Sequence, residues 1–315
     1  MLAPIPLKRA FLAAAVFAGA LTGVAQPNLA NLVDPMTIYG RFHGEPVLVT
    51  ATKRSAGAIE SLQWKGVEFI DATDQGRHLQ SALSFDGLTE CDNPTEAGAR
   101  IDGFGPSSSS SRLNSGAVHA NVLYTHAQMA YWLRLGQSSA ACGEARNDLA
   151  TPLSSTTLAK TVRFMPGFAN VLEHKISFGL ARPRALAQFE VLTAYMPQHF
   201  DSFYRFDAAA GRMLPLSDGP GEQGLPVVLA TSDGKNALGL FTPQVAAGDL
   251  SGPGYGRWRF GPERVTKSNV VFRQKNAAAG AHEFIVYTVF GSLEDVRSSL
   301  ARLHALPPAK VAASD

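Results

Sequence analysis

Residues 57–70 of this chain read GAIESLQWKGVEFI and contain the clearest structural pattern in the sequence. Between residues 58 and 64, successive side chains alternate between two faces, as they do in a β-strand. Lys65-Gly66 then forms a two-residue turn into a second short run, Val67–Ile70. Two such runs joined by a glycine-containing turn are typical of a β-hairpin. The stretch therefore predicts antiparallel pairing near the start of the globular part of the chain.

The rest of the sequence also reads as short strands between turns. Runs of β-branched and aromatic residues alternate with stretches rich in Gly, Pro, Asn and Ser. The predicted strands include Ala117–Tyr124, Met129–Leu135, Thr161–Phe164, Asn170–Phe178, Val227–Thr231, Ala237–Phe241, Asn269–Arg273 and Glu283–Phe290. This pattern predicts an all-β fold, an antiparallel β-sandwich.

One helix is predicted, and it lies at the C-terminus. Ser292 precedes Leu293-Glu294-Asp295, an arrangement typical of a capping box. An apolar stripe follows at helical spacing, formed by Val296, Leu300 and Leu303. The prolines after Leu306 end the pattern.

The first 25 residues have the features of an export signal. Lys8 and Arg9 precede an uncharged apolar run, which closes on the small residues Gly23-Val24-Ala25. A basic start, a short apolar core and a small-residue cleavage site are typical of a secretory signal peptide. We therefore expect a secreted or periplasmic protein with one β-sandwich domain over residues 26–315. An uncleaved N-terminal anchor is the alternative.

The charge balance excludes a general attraction to polyanions. The chain has 28 Lys and Arg against 26 Asp and Glu, and removing Lys8 and Arg9 with the signal leaves 26 against 26. A neutral chain has no global electrostatic attraction to nucleic acid or to an anionic membrane. We therefore expect neither as a partner after signal cleavage, and the sequence does not predict an oligomeric state.

Cys91 and Cys142 are the only two cysteines. In an oxidising compartment, an even pair is typical of a structural disulfide. Two buried free thiols are the alternative. No HxH or HExxH spacing occurs among the histidines, so no metal site is predicted. The glycine-rich stretches 219–221 and 252–256 do not lead from a strand into a helix, so no cofactor is predicted either.

Three segments resemble the galactose mutarotase-like superfamily, which includes the aldose 1-epimerases. They are the hairpin 57–70, the pattern Asp74-x-Gly76-Arg77-x-x-Gln80 and the pattern Asn170-x-x-x-His174. The resemblance implies a β-supersandwich and a sugar substrate, with Arg77 approaching the sugar and His174 as a catalytic residue. Residues 74–102, with the signature ECDNPTEAG at 90–98, also resemble an uncharacterised exported bacterial family.

The strongest site signal is a concentration of polar side chains between residues 71 and 102. Sugar sites need planar hydrogen-bonding groups beside aromatic surfaces. The predicted substrate-binding residues are Arg77, His78, Gln80, Asn93, His126, Trp132 and Tyr195. A structural salt bridge from Arg77 to Asp71 or Asp74 is an equal alternative.

Four residues are catalytic candidates for general acid–base chemistry: His174, Glu96, Glu90 and Glu190. His174 lies mid-strand, where a hydrogen-bonded structural role is the alternative. For Glu96 the alternative is an exposed loop position. Glu190 interrupts an apolar strand, so its carboxylate is either solvated at an edge or buried with a partner.

These observations predict an exported carbohydrate-active protein, either an epimerase or a polysaccharide lyase. Either reaction would transfer protons through a histidine and a carboxylate. The alternatives are a non-catalytic carbohydrate-binding protein and a structural exported protein of unknown activity.

Overall fold

The computed structural model describes residues 34–74, 76–87, 90–100, 102, 109–140, 143–144, 152–261 and 265–307. The predicted signal peptide, residues 1–25, lies outside them, as does Cys142. Export and the Cys91–Cys142 disulfide therefore remain predictions. Within the described residues, no helix is long and apolar enough to cross a membrane.

Almost all of the regular structure is β-strand, as the sequence predicts. In chain order the elements are β1 (Met36–Phe42), β2 (Glu45–Ala51), β3 (Ile59–Trp64), β4 (Val67–Glu68), β5 (Leu79–Phe85), β6 (Pro94–Thr95), β7 (Arg112–His119), β8 (Val122–Tyr131), β9 (Ser138–Ser139), β10 (Gly143–Glu144), β11 (Leu153–Phe164), β12 (Val171–Leu180), β13 (Arg184–Met196), β14 (Ser202–Asp207), β15 (Arg212–Pro215), β16 (Gly221–Gln223), β17 (Val227–Ala230), β18 (Ala237–Phe241), β19 (Leu250–Phe260), β20 (Val265–Ala277), β21 (Gly280–Gly291) and α1 (Leu293–His304). Two short 3-10 helices cover Lys53–Ser55 and Glu90–Asp92.

The first predicted hairpin is present. Trp64 pairs with Val67 across a two-residue turn. Lys65 and Gly66 both have positive φ, at 51° and 73°, which matches the twist of paired strands. The predicted strand Ala117–Tyr124 is wrong as a single element, because β7 and β8 form a second tight hairpin there. Ala120 and Asn121 reverse the chain with positive φ.

The strands form two antiparallel layers. The front sheet runs β1-β2-β3-β5-β13-β20-β19-β16. The back sheet runs β7-β8-β11-β12-β21-β18-β17-β14-β15. Short β6 pairs with β5 of the front sheet and with β8 of the back sheet. The predicted all-β antiparallel sandwich is confirmed.

The inner faces of the two sheets meet in an aromatic core. Phe189 of β13 lies with its ring centroid 5.3 Å from that of Phe178 on β12 and 5.0 Å from that of Phe284 on β21. Phe272 of β20 lies 5.3 Å from Phe284. Such contacts contribute beyond the burial of the rings themselves. The core thereby fixes which residues of β13 and β20 point outward.

A second, smaller core lies on the other side of the back sheet. Helix α1 packs Val296, Leu300 and Leu303 against that surface, where Val289 of β21 is also buried. The helix begins at the predicted capping box, with Ser292 Oγ accepting from the Asp295 N–H. The helix therefore covers β18 and β21 on the side of the back sheet away from the front sheet.

Candidate functional site

A groove of about 290 Å³ lies on the outer face of the front sheet. It is formed by β5, β13 and β20, with the segment around the Glu90–Asp92 helix and Trp132 beside them. Six of the predicted site residues line it: Gln80, Glu90, Asn93, Trp132, Glu190 and Tyr195. The structure thus brings together residues that are up to 115 positions apart in sequence (195 − 80).

A β-bulge in β13 creates this arrangement. Glu190 pairs with Ala82 of β5, but the next pair joins Thr193 to Gln80, so Val191 and Leu192 together face one residue of β5. Val191 and Leu192 are both fully buried in the core. Because successive side chains of a strand point to opposite faces, one extra residue moves every later side chain to the other face.

This shift places four side chains of β13 on one face. Gln188 and Glu190 precede the bulge and Thr193 and Tyr195 follow it, and all four line the groove. Without the extra residue, the second pair would point into the core. The bulge is therefore the local feature that assembles the site.

Glu190 forms the polar centre of the groove. Its Oε2 atom accepts hydrogen bonds from Thr193 Oγ1 at 3.1 Å, Lys267 Nζ at 3.2 Å and Asn269 Nδ2 at 3.0 Å. Burial raises the pKa of Glu190, but the Lys267 charge and these three hydrogen bonds outweigh it and hold the pKa below its ordinary value. The carboxylate is therefore ionised at neutral pH. Among the described residues, no hydrogen bond reaches its Oε1 atom.

Lys267 and Tyr195 stand side by side next to this carboxylate. The two residues pair directly between β20 and β13, and Lys267 Nζ lies 5.3 Å from the Tyr195 ring centroid. Burial lowers the pKa of Lys267, but the charge of Glu190, the phenol of Tyr195 and the hydrogen bonds to both together outweigh burial and raise the pKa above its ordinary value, so the amine stays protonated. Burial raises the pKa of the Tyr195 phenol. At neutral pH the groove therefore holds a carboxylate, an ammonium and a protonated phenol.

The opposite wall is held by side-chain amides. Asn93 Nδ2 donates to the Leu83 carbonyl and to Ser84 Oγ. Gln80 Nε2 donates to the Arg77 carbonyl, and its Oε1 accepts from the Ala97 N–H at 2.9 Å.

The indole of Trp132 stands on the same wall. The backbone N–H of Trp132 donates to the Asn93 carbonyl at 2.8 Å. The Arg100 guanidinium lies 5.2 Å from the indole centroid. The wall is thus tied to β5 and presents an aromatic surface to the groove.

Arg77 adopts the salt-bridge arrangement. Its guanidinium bonds Asp71 at 2.9 Å and Asp74 at 3.0 Å. The adjacent His78 is fully buried, and its burial lowers its pKa to about 3. Neither residue is among those that line the groove. His126 lies half-buried in β8 of the back sheet, also outside the groove lining.

Glu96 is buried between the sheets rather than exposed on a loop. Thr95 lines the groove, so the next side chain points to the opposite face. There Glu96 Oε1 bonds Lys160 Nζ at 2.5 Å, and both side chains are completely shielded from solvent. Its Oε2 accepts from the Ser81 N–H at 3.0 Å.

His174 lies on the inward face of β12 and is fully buried. It shares that face with Leu172 and Ile176, which belong to the core. Its Nε2 atom is 2.9 Å from Thr288 Oγ1. Burial lowers the pKa of His174 to about 3, and the charge of Lys160 acts in the same direction. This geometry corresponds to the hydrogen-bonded structural alternative.

Cys91 is buried beside the groove in the short helix Glu90–Asp92. Within the described part of the chain, no group of three or more His, Cys, Asp or Glu side chains is placed to hold a metal ion.

The sequence analysis missed five polar groove residues: Ser84, Thr95, Gln188, Thr193 and Lys267. It also missed Asn269, which bonds Glu190. Lys267 and Asn269 stand at alternate positions before the apolar run Val270–Phe272. Thr266 and Ser268 are polar as well, so no apolar–polar alternation marked the shared face of Lys267 and Asn269.

No protein-family model and no curated protein matches the sequence. Three solved structures illustrate the likenesses found. The GH36 α-galactosidase AgaB from Geobacillus stearothermophilus is 8% identical over 89% of this chain and 43% of its own, with a TM-score of 0.48. The heparan sulfate lyase HepC from Pedobacter heparinus is 10% identical over 81% of this chain and 35% of its own, with a TM-score of 0.40.

The third structure is the Slr1438 protein from Synechocystis sp. PCC 6803. It is 9% identical over 83% of this chain and 99% of its own, with a TM-score of 0.40. The present chain thus spans less than half of the α-galactosidase and of the lyase. Because these three TM-scores lie below 0.5, we draw no conclusion about family or activity from them.

The buried Glu96–Lys160 pair predicts a large effect on stability. Lys160→Met leaves the Glu96 carboxylate buried without its counter-charge, which should cost about 3–5 kcal/mol in the free energy of unfolding. The double variant Glu96→Gln/Lys160→Met removes both charges and should recover part of that loss. Urea denaturation measures both. A Lys160→Met variant as stable as the wild type would contradict the buried pairing.

His174 predicts a dependence of stability on acid. Its folded pKa of about 3 lies below the ordinary value of 6.5, so the unfolded chain binds this proton first as pH falls. The contribution of the neutral His174 side chain to the free energy of unfolding is therefore complete above pH 6.5 and is lost between pH 6.5 and about 3. His174→Gln does not titrate, so its stability should fall less steeply there, by about 1.4 kcal/mol per pH unit. Denaturant titrations at several pH values measure both slopes. The slopes should coincide above pH 7, and equal slopes below pH 6 would contradict the assignment.

Proposed function

We propose that this chain is an exported carbohydrate-active protein and that the groove of the front sheet binds its sugar ligand. Sugars present hydroxyl groups together with apolar C–H faces, so their sites combine planar polar side chains with aromatic surfaces. The groove has both, with carboxylates at Glu90 and Glu190 and aromatic groups at Trp132 and Tyr195. The convergence of these four side chains on one groove is the observation that carries the proposal.

The size of the groove supports a small ligand. Pockets for small molecules measure about 300–1,000 Å³, and the 290 Å³ found here lies just below that range. One monosaccharide unit suits that volume. The sequence resemblance to the galactose mutarotase-like superfamily points to the same class of ligand.

Proton transfer in the groove is a second candidate, and the protonation states of Glu190 and Tyr195 favour it. An ionised carboxylate accepts a proton and a protonated phenol donates one. In an epimerase step, Glu190 takes the proton of the anomeric hydroxyl while Tyr195 donates its proton to the ring oxygen. The bond between C1 and the ring oxygen then breaks, and the sugar opens to the free aldehyde.

Of the two reactions predicted from the sequence, epimerisation suits the groove better than a lyase reaction. A polysaccharide lyase removes a proton beside a uronate carboxylate, which calls for a cation to hold that carboxylate. Among the described residues that line the groove, the cationic side chain is that of Lys267. Its Nζ atom is already paired with Glu190 Oε2 at 3.2 Å. His174 is buried outside the groove, so Tyr195 takes the place of His174 as the general acid.

Sugar binding predicts a specific effect of Trp132. A thermal-shift and calorimetric screen of residues 26–315 against neutral monosaccharides and uronic acids should find a sugar that raises the melting temperature, by binding linkage. Trp132→Ala removes one aromatic wall and should weaken binding of that sugar about tenfold. Tyr39→Ala, on an exposed side chain of β1, is the matched control and should bind normally. No response to any sugar, or an unaffected Trp132→Ala variant, would overturn the proposal.

The proton-transfer step predicts separate effects on rate and on binding. For a sugar that binds, Glu190→Gln and Tyr195→Phe should each slow anomeric interconversion by about 10²–10⁴-fold. Both variants keep the shape of the groove, so their Kd values should remain close to that of the wild type. Polarimetry and NMR exchange measurements give the rates. A wild-type protein that binds the sugar without accelerating interconversion would overturn the catalytic step and leave the binding proposal intact.

A further inference from the structure

The outer face of the front sheet continues beyond the groove onto β19. Trp258 pairs with Lys267, and Gly256 pairs with Asn269. Directly paired residues of antiparallel strands point to the same face. Since Lys267 lines the groove, the side chain of Trp258 stands on the groove face as well. Trp258 is partly exposed.

The indole of Trp258 reaches along its own strand to Gly256. A Cβ atom added at Gly256 would overlap the six-membered ring of Trp258. Glycine is therefore the residue that leaves room for the ring beside the backbone of β19. A partly exposed aromatic ring on this face offers apolar surface against which the C–H face of a sugar can stack.

Lys267 links the aromatic side chains of the groove to this ring. Lys267 Nζ lies 5.3 Å from the ring centroid of Tyr195 and 4.8 Å from that of Trp258. The ammonium therefore sits between the two rings. Phe260 extends the surface, since its ring stacks at 20° to that of Tyr195 with centroids 6.3 Å apart.

This surface is longer than one sugar unit. Trp258 lies on the strand beyond Lys267 and is not among the residues that line the groove, whose volume suits one monosaccharide unit. A ligand that fills the groove and also contacts Trp258 therefore contains more than one sugar unit.

The charges along the surface are compensated. Arg273 forms two parallel hydrogen bonds at 2.7 Å with the carboxylate of Glu222 and donates from Nε to Gln188 at 2.8 Å. Lys267 is paired with Glu190. Glu90 adds a negative charge to the groove. Arg100, beside Trp132 at the far wall, donates to the Ser138 carbonyl. Between the groove and Trp258, however, the described cations Lys267 and Arg273 are both paired with carboxylates, so this stretch favours a neutral chain.

We infer that the ligand is a neutral oligosaccharide of at least two units, with one unit in the groove and the next stacked on Trp258. This inference rests on the proposed sugar binding and adds the length and charge of the ligand. The strand β19 then acts as a second subsite, for which Gly256 and Trp258 are the positioning and stacking residues.

The test compares ligands of increasing length on the mature chain. Isothermal titration with galactose, glucose and mannose, with their neutral β-1,4-linked di- and trisaccharides, and with a trigalacturonate gives the Kd for each. A neutral trisaccharide should bind at least tenfold more tightly than its monosaccharide. Trp258→Ala should abolish about that tenfold gain and leave monosaccharide binding unchanged. Trp258→Phe keeps a ring at the position and should retain part of the gain.

Other outcomes separate this inference from the proposed function. Equal affinity for a monosaccharide and its trisaccharide, or a Trp258→Ala variant that keeps the full gain, would overturn the second subsite and leave sugar binding in place. Tighter binding of trigalacturonate than of every neutral trisaccharide would overturn the inferred neutral ligand. If neither monosaccharides nor oligosaccharides bind, the proposed function itself fails.

Discussion

The extra residue in β13 is the constraint on which the candidate site depends. Val191 and Leu192 are adjacent in sequence and both pack in the same core between the sheets, whereas adjacent side chains of an unbroken strand point to opposite faces. Burial of each side chain stabilises the fold by about 1.5–3 kcal/mol, so the core itself enforces the bulge. The consequence appears on the opposite face, where Glu190 and Tyr195 both point into the groove. The site is therefore a product of core packing.

Two carboxylate–ammonium pairs differ in their exposure to solvent. This difference separates a structural role from a functional one. Glu96 and Lys160 are completely shielded between the sheets, so their pairing can serve only the interior. Glu190 and Lys267 keep about an eighth or more of their side-chain surface exposed at the groove, 15% and 13%. Partial exposure lets a ligand reach the charges while the pairing fixes their protonation states. Only the second pair has the geometry for recognition or proton transfer.

Local patterns in the sequence were sufficient to predict the fold and six of the side chains that line the groove. The Lys65-Gly66 turn and the Ser292 cap act over a few residues, so the hairpin and the helix were predictable. The face of the sheet to which a given strand residue points was not predictable. His174 shares the inward face of β12 with apolar residues, and Glu96 follows an outward-facing threonine, so both point into the interior. Ala120-Asn121 lacks the usual glycine of a tight turn, which hid the hairpin within the predicted strand.

The central claim is that the bulge of β13 gathers the ligand-binding side chains on one face of the front sheet. A crystal structure of the mature chain soaked with a neutral trisaccharide tests it most directly. The account predicts Gln188, Glu190, Thr193 and Tyr195 on the same face, with sugar density between Trp132 and Tyr195 that continues over Trp258. A regular β13 without the extra residue, or a sugar bound elsewhere with the groove filled only by solvent, would contradict it.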